Sequence, residues 1–220
     1  MNYKRITLLC GHYGSGKTNV AVNMALDLRE QYNEVAVADM DIVNPYFRTK
    51  DSKEDFENAG IKLICSDYAN TNVDIPALPS DIYTITSNKN QKVIIDVGGD
   101  DRGALALGRL VPDILKENDY EMLMVINCFR PLTRDAESTL EVMEEIQTAS
   151  GMKFTGLVNN SNLGEETTAE DVLSSVEYAK EISQKTGLPL VATAVKQDIF
   201  DKLDGKIENL LKLKLQNKIK

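Results

Sequence analysis

The segment that most constrains this chain is GHYGSGKT, residues 11–18, which lies between an apolar run and a helical pattern. The run RITLLC ends at residue 10, and after Thr18 apolar residues recur at spacings of three and four. A loop of this kind, in the pattern G-x-x-x-x-G-K-S/T, predicts a phosphate-binding loop that opens a helix. Glycines let backbone N–H groups wrap around phosphate oxygens, and the helix N-terminus adds partial positive charge.

Each position of this loop has an expected place around a nucleoside triphosphate. Lys17 is expected to reach the β- and γ-phosphates, and the hydroxyl of Thr18 to ligate Mg²⁺. The alternative is an ordinary glycine-rich turn with an exposed lysine. The nucleotide-binding residues predicted from the loop are Gly11, His12, Tyr13, Gly14, Ser15, Gly16, Lys17, Thr18 and Asn19.

Acidic residues at the ends of two further apolar runs are candidates for a metal site. Asp96 follows the run KVII, and Gly99 comes three residues later, where its N–H can point to a γ-phosphate. Asp39 and Asp41 follow the run EVAVA, and this negative pair is costly unless it faces a cation or water. We therefore predict Thr18, Asp39 and Asp96 as metal ligands. For Asp39 and Asp41 the alternative is an Asx-type turn.

Seven short apolar runs predict β-strands, and helical patterns lie between them. The predicted strands are 5–10, 34–39, 61–66, 92–97, 121–127, 154–160 and 188–195. The first predicted helix begins at Thr18, and the others lie near 103–117, 134–149, 168–186 and 199–213. Most of these runs are continuously apolar, which favours strands buried on both faces of a parallel sheet. The alternation of strands and helices along the chain predicts an α/β fold, in which a doubly wound, mostly parallel β-sheet of about seven strands is flanked by helices. We expect one domain over 1–220.

Some local signals mark where these elements end. Thr167 or Thr168, with an acidic residue three positions later, predicts the N-cap of the fourth helix, and Gly187 predicts its end. The segment 67–90 has no clear period, and we expect loops and one short helix there.

Composition restricts the function classes that the chain can belong to. The formal net charge of −9 argues against a protein whose main ligand is nucleic acid. Three separated cysteines, Cys10, Cys65 and Cys128, form no metal-ligand spacing and favour a reducing, cytoplasmic location. No apolar run approaches the ~18 residues of a membrane-spanning helix.

Three motifs in order, GHYGSGKT, DMDIVNP and DVGGDD, follow the predicted strands one, two and four. On these motifs the chain resembles the MinD/ParA-type branch of P-loop NTPases, which includes the nitrogenase iron protein. The resemblance implies that the P-loop strand neighbours the Walker B strand, that ATP and Mg²⁺ are bound, and that a nucleotide-dependent homodimer forms. By position it puts Asp39 and Asp41 in the first switch, and Asp96, Gly99 and Asp100 in the second.

One departure from the family pattern is His12, which stands where many members carry an extra lysine that reaches across the dimer. A histidine is mostly neutral at pH 7, so it is a weaker phosphate partner than lysine. A phosphate contact in the dimer partner, a stacking group and a plain loop residue all stay open for His12. Arg48, Arg102 or Arg130 could supply the missing positive charge.

The loop after the sixth predicted strand bears on the choice of base. It contains Asn159 and Asn160 but lacks the aspartate with which GTPases usually accept the two guanine donors. An asparagine amide can both donate to and accept from adenine, so we predict these two residues in nucleotide binding and favour ATP over GTP. The alternative for them is an ordinary polar turn.

The C-terminal segment ENLLKLKLQNKIK resembles the membrane-binding tail of some MinD proteins. Its apolar residues continue the helical spacing of the last predicted helix, which more simply predicts docking on the sheet. We therefore do not expect membrane binding.

These observations predict a Mg-dependent ATPase that acts as a nucleotide-dependent switch on an unidentified client protein. The candidate catalytic residues are Lys17, which would hold the phosphates, and Asp41 or Asp100, which would orient the attacking water. Two alternatives stay open: a small-molecule phosphotransfer or ligase-type enzyme resembling dethiobiotin synthetase, and a sensor that binds nucleotide without hydrolysing it.

Overall fold

A computed structural model of the protein describes residues 3–40, 52–65, 80–99 and 107–214. Its eight strands are β1 Ile6–Cys10, β2 Val35–Met40, β3 Lys62–Ile64, β4 Lys92–Val97, β5 Tyr120–Ile126, β6 Gly156–Asn159, β7 Leu190–Lys196 and β8 Leu210–Leu213. The α-helices in the described ranges are α1 Lys17–Gln31, α2 Lys53–Ala59, α3 Thr84–Ser87, α4 Val111–Glu117, α5 Ala136–Ser150, α6 Ala169–Thr186 and α7 Gln197–Leu203. Short 3₁₀ turns lie at Ser80–Tyr83, Leu107–Arg109, Pro131–Thr133 and Gly164–Glu166.

All eight strands are parallel and form one sheet in the order β3-β2-β4-β1-β5-β6-β7-β8. β1 lies inside the sheet, where Ile6 pairs with Val93 of β4 on one side and with Tyr120 of β5 on the other. The strand that precedes the glycine-rich loop therefore neighbours the strand that ends in Asp96, as the resemblance implied. The prediction of a doubly wound, parallel α/β sheet is confirmed.

Helices cover both faces of the sheet, and each face has its own apolar core. Alternate residues of β1 point to opposite faces: Leu9 packs in the core that contains α1 and Phe56 of α2, whereas Leu8 packs in the core that contains α4, α5 and α6. Both leucines are fully buried. This arrangement explains the continuous apolar runs, because a strand covered on both faces needs apolar residues at every position.

Helix α6 begins and ends where the local sequence signals predict. The Thr168 side chain accepts a hydrogen bond from Asp171 N, and the Asp171 carboxylate accepts one from Thr168 N, which is a reciprocal capping box. Gly187 ends the helix in the left-handed conformation at φ 72°. Of the two threonines considered, Thr168 is thus the N-cap.

The predicted helix over 199–213 is wrong in its second half. Helix α7 ends at Leu203, a turn follows, and Leu210–Leu213 pairs with β7 as an eighth parallel strand. Two left-handed residues, Gly205 at φ 74° and Asn209 at φ 54°, reverse the chain between these elements. A helix cannot continue through such residues, so the apolar spacing that looked helical spans two different elements.

The described helices differ from the predicted ones at two further places. The short helix α2 was not predicted, and of the helix expected near 103–117 the described part consists of the turn at 107–109 and α4. Within residues 3–40, 52–65, 80–99 and 107–214, no helix has both the length and the apolar surface that a bilayer crossing requires.

Candidate functional site

The glycine-rich loop connects the C-terminal end of β1 to the N-terminus of α1. Gly16 is the last residue before the helix and has φ 85° and ψ 24°, a left-handed conformation that a residue with a Cβ adopts only at a cost. Ser15 N donates a hydrogen bond to His12 O, and Val20 N donates one to Gly16 O as the helix begins. The loop thus turns back on itself and delivers the N-terminus of α1 to the carboxyl edge of the sheet, where ligands of open α/β sheets bind.

Lys17 is the buried cation of this loop. The residue is 5% exposed, and its Nζ donates to His12 O at 3.4 Å. It forms no ion pair with any carboxylate in the described parts of the chain. A buried ammonium is costly unless an anion compensates it, so the loop is built to accept an anion from outside.

Thr18 and Asp96 meet beside this lysine. Thr18 Oγ1 donates to Asp96 Oδ2 at 2.8 Å, and Asp96 is fully buried at the end of β4. Asp39, the next-to-last residue of β2, pairs in register with Asp96 on the neighbouring strand. Three of the residues predicted as metal ligands therefore lie together at the carboxyl edge of the sheet.

These oxygen ligands fit Mg²⁺, which binds through one or two carboxylates and keeps waters and phosphate oxygens as its other ligands. In the described residues, no three His, Cys, Asp or Glu side chains are grouped so that they hold a metal unaided. The Thr18 hydroxyl with Asp39 and Asp96 beside it suits a metal ion that also takes ligands from the phosphates of a nucleotide.

Cys10 is fully buried directly below the loop. Burial raises the pKa of its thiol to about 12, with Lys17 lowering and Asp96 raising it to smaller extents. A thiol with this pKa stays protonated at neutral pH, and it packs as a small apolar side chain.

Gly99 places the end of the β4 segment against the loop. A methyl group at this position would lie 2.8 Å from Tyr13 N and 3.0 Å from Lys17 Nζ. Contacts this close to a backbone nitrogen require a glycine, which explains the residue type at the position. Gly99 therefore lies against the groups that are expected to hold the terminal phosphate.

His12 and Tyr13 form the outer part of the loop. The His12 ring donates through Nδ1 to Tyr13 O at 2.9 Å and is half-buried, while Tyr13 is 55% exposed. Asn19 lies in the first turn of α1, is half-buried, and accepts a hydrogen bond from Asn23 Nδ2 at its backbone oxygen. The roles of these three residues toward a nucleotide stay predictions.

The two asparagines predicted to contact the base are both buried behind the loop. Asn159 Nδ2 donates to Ser175 Oγ at 2.9 Å, and Asn159 Oδ1 accepts from Ser161 N. Asn160 Nδ2 donates to Ser15 O of the glycine-rich loop at 2.7 Å. Both amides contact the protein itself in this structure, and their part in base recognition stays a prediction.

Loops after β5 and β6 surround the glycine-rich loop on its outer side. Arg130 Nε donates to Gly14 O at 2.8 Å, and the buried Asn127 binds the next loop by donating from Nδ2 to Asn162 O. Sequence reasoning missed Asn127, because a lone asparagine at the end of a strand carries no recognisable signal. Asp41 and Asp100, together with Arg48 and Arg102, lie outside the described residues.

The sheet order, the loop between β1 and α1, and the Lys17–Thr18–Asp96 cluster define a P-loop nucleotide-binding protein of the NTPase class. Comparison with protein families supports this class directly. The family model for the CobQ/CobB/MinD/ParA nucleotide binding domain matches residues 6–206. The chain belongs to this family.

Solved structures of similar fold include FtsY proteins and the signal recognition particle 54 kDa protein. FtsY from Thermotoga maritima is 20% identical, with a TM-score of 0.58 over 86% of this chain and 61% of its own. The signal recognition particle 54 kDa protein from Aeropyrum pernix, in complex with GDP, is 18% identical, with a TM-score of 0.51 over 86% of this chain and 41% of its own. At these identities the likeness concerns the fold.

FtsY from Elizabethkingia anophelis in complex with GDP is 16% identical, with a TM-score of 0.54 over 99% of this chain and 62% of its own. The chain thus spans about three fifths of the FtsY chains that it matches. A search of curated proteins gave no significant match.

Proposed function

We propose that this protein binds ATP with Mg²⁺, hydrolyses it, and acts as a nucleotide-dependent switch on a protein partner. The observation that carries the proposal is the buried Lys17 ammonium, which has no carboxylate partner in the described structure and lies beside the Thr18–Asp96 pair. A cation that is desolvated next to hard oxygen ligands matches the triphosphate of a Mg-nucleotide in both charge and chemistry.

In this proposal each residue has one task in holding or polarising the phosphates. Lys17 neutralises the β- and γ-phosphate oxygens, and the loop N–H groups donate to them. Thr18 and Asp96 hold Mg²⁺, with Asp39 beside them in register. The bound metal would supply charge neutralisation between the β- and γ-phosphates. Asp41 or Asp100 is proposed to orient the attacking water.

The switch is proposed to begin at Gly99. Its closeness to Tyr13 N and Lys17 Nζ means that a terminal phosphate bound at Lys17 comes into contact with Gly99. Loss of that phosphate removes the contact, and the equilibrium of the segment that follows then shifts. A client protein that binds this segment would therefore distinguish the triphosphate from the diphosphate state.

We propose ATP rather than GTP as the nucleotide. GTPases read guanine with a carboxylate that accepts two donors, and the loop from 156 to 168 contains no aspartate. The family resemblance further supports a nucleotide-dependent homodimer, with 1–220 acting as one P-loop NTPase domain. The negative charge of the chain supports a protein client rather than a nucleic acid.

The test is phosphate release from ATP and from GTP, with Mg²⁺ and with a chelator, for the native chain and three variants. We expect release that prefers ATP, needs Mg²⁺, and is lost in Lys17→Ala and in Thr18→Ala. Lys180→Ala is the matched control, because Lys180 is an exposed lysine on α6 that forms an ion pair with Glu177, away from the glycine-rich loop. Equal release from the native chain and Lys17→Ala would refute the proposal, as would release that persists in chelator.

A further inference from the structure

Two side chains from neighbouring loops donate hydrogen bonds to successive carbonyl groups of the glycine-rich loop. Arg130, after β5, donates through Nε to Gly14 O at 2.8 Å. Asn160, after β6, donates through Nδ2 to Ser15 O at 2.7 Å. The two donors come from different parts of the chain, yet they bind adjacent peptide groups of the same loop.

The backbone chemistry of a phosphate-binding loop explains why such donors are needed. The loop must turn its N–H groups toward the phosphates, and consequently it turns carbonyl groups away from them. A buried carbonyl without a donor costs free energy comparable to a lost hydrogen bond. Asn160 supplies the donor for the buried Ser15 carbonyl, and Arg130 supplies one for the exposed Gly14 carbonyl next to it. Both contacts favour the loop shape that accepts phosphate.

Both donors are themselves held in place. Arg130 lies in a turn in which its N–H donates to Asn127 O at 3.2 Å, and Asn127 O also accepts from Thr133 Oγ1 at 2.8 Å. Asn160 is 2% exposed, and its N–H donates to Ile126 O at 2.9 Å. The backbone of each donor residue is therefore fixed at the end of β5 or β6 by contacts within the protein.

We infer that Arg130 and Asn160 are positioning residues that hold the glycine-rich loop in its phosphate-accepting shape before nucleotide arrives. The inference rests on nucleotide binding at this loop, as the proposed function does, but it makes no use of hydrolysis. A preformed loop loses less conformational freedom on binding, so these residues raise the affinity for any nucleotide that carries a β-phosphate. They act through the backbone and not by touching the phosphates.

This role predicts a particular pattern of affinities. Arg130→Met and Asn160→Ala each weaken binding of Mg-ADP and Mg-ATP by the same factor, on the order of fivefold to tenfold, which corresponds to one lost hydrogen bond. Arg134→Met is the matched control, because Arg134 is a nearby exposed arginine whose ion pair is with its neighbour Asp135.

The decisive measurement is hydrogen–deuterium exchange of the peptide covering residues 11–18, in the absence of nucleotide. We expect faster exchange in Arg130→Met and Asn160→Ala than in the native chain and Arg134→Met, with the difference removed by saturating ADP. This readout does not depend on hydrolysis, so a chain without ATPase activity still tests the inference. Thermal unfolding of Arg130→Met is expected near that of the native chain, because the arginine is only half-buried and its acceptor, Gly14 O, belongs to an exposed residue.

Two results would overturn the inference. One is unchanged exchange of residues 11–18 in both variants. The other is an affinity loss in Arg130→Met that disappears at high salt, because attraction between separated charges is screened whereas a hydrogen bond to a carbonyl is not. In that second case Arg130 would act by its charge on the phosphates.

Discussion

Replacing Gly16 by alanine tests how tightly the loop is packed against Asn160. A methyl group at Gly16 would lie 2.3 Å from Asn160 Nδ2, and the residue sits at φ 85°. Asn160 is buried and bound to Ser15 O, so its amide has little room to move without losing that hydrogen bond. The substitution therefore combines a backbone cost with a local steric conflict.

The two costs can be given magnitudes. An alanine in the left-handed region costs about 1 kcal/mol relative to glycine. Displacing the Asn160 amide adds the loss of a buried hydrogen bond, about 1–2 kcal/mol. We expect Gly16→Ala to lower the free energy of unfolding by about 2–3 kcal/mol in total, which is a large fraction of the ~5–15 kcal/mol of a typical domain.

Urea denaturation of a double-mutant cycle separates these terms. In an Asn160→Ala background the conflict is gone, so Gly16→Ala should cost only the backbone term of about 1 kcal/mol. Gly151→Ala is the control for that term, because Gly151 has φ 70° and nothing within 4 Å of the added methyl group. If Gly16→Ala costs no more than Gly151→Ala, or if the cycle is additive, the packing argument is wrong.

Three further predictions concern stability away from the site. Arg5 hydrogen-bonds Glu117 and lowers the pKa of that carboxyl, so the stability that this contact contributes is present above about pH 4.3 and is lost as pH falls through the lower folded pKa. Glu117→Gln should therefore be less stable than the native chain at pH 7, and its free energy of unfolding should change less as the pH is lowered. Thr168→Ala removes a helix cap and should cost about 1 kcal/mol in urea denaturation. Asn23→Ala removes both hydrogen bonds to the backbone of Lys214 and should cost about 1–3 kcal/mol in the same assay, whereas an unchanged midpoint would show that this contact does not form.

Elements with strong local signals could be predicted from the sequence. Helix α6 was predicted within a residue because Thr168, Asp171 and Gly187 determine its ends by contacts with their own near neighbours. Strand β1 and the loop after it were predicted for the same reason, since an apolar run and three glycines leave few alternatives.

The error at the C-terminus arose because an apolar spacing does not identify the element that contains it. Leu203, Leu210 and Leu211 fit a helical period, yet they belong to α7 and β8. Turn signals were present at Gly205 and Asn209 and were outweighed by the spacing. The partner of β8 is β7, and a pairing between strands is not visible in either segment alone.

The role inferred for Asn160 could not be predicted, because its acceptor is a carbonyl 145 positions earlier in the chain. Side-chain chemistry indicated that an asparagine in this loop could read a base. Only the register of β6 beside β5, and of β5 beside β1, places the amide next to Ser15.

The position of β1 also affects the order in which this protein can fold. The first strand pairs with β4 and β5, so its nearest partner in sequence begins at Lys92, more than 80 residues away. Closing so long a loop has an entropic cost that must be met before the strand gains any pairing, which slows folding. On a ribosome, β1 and its loop must therefore wait until β4 and β5 have emerged. A nucleotide present at that stage would bind only chains in which this late pairing is complete, and would draw the folding equilibrium toward them.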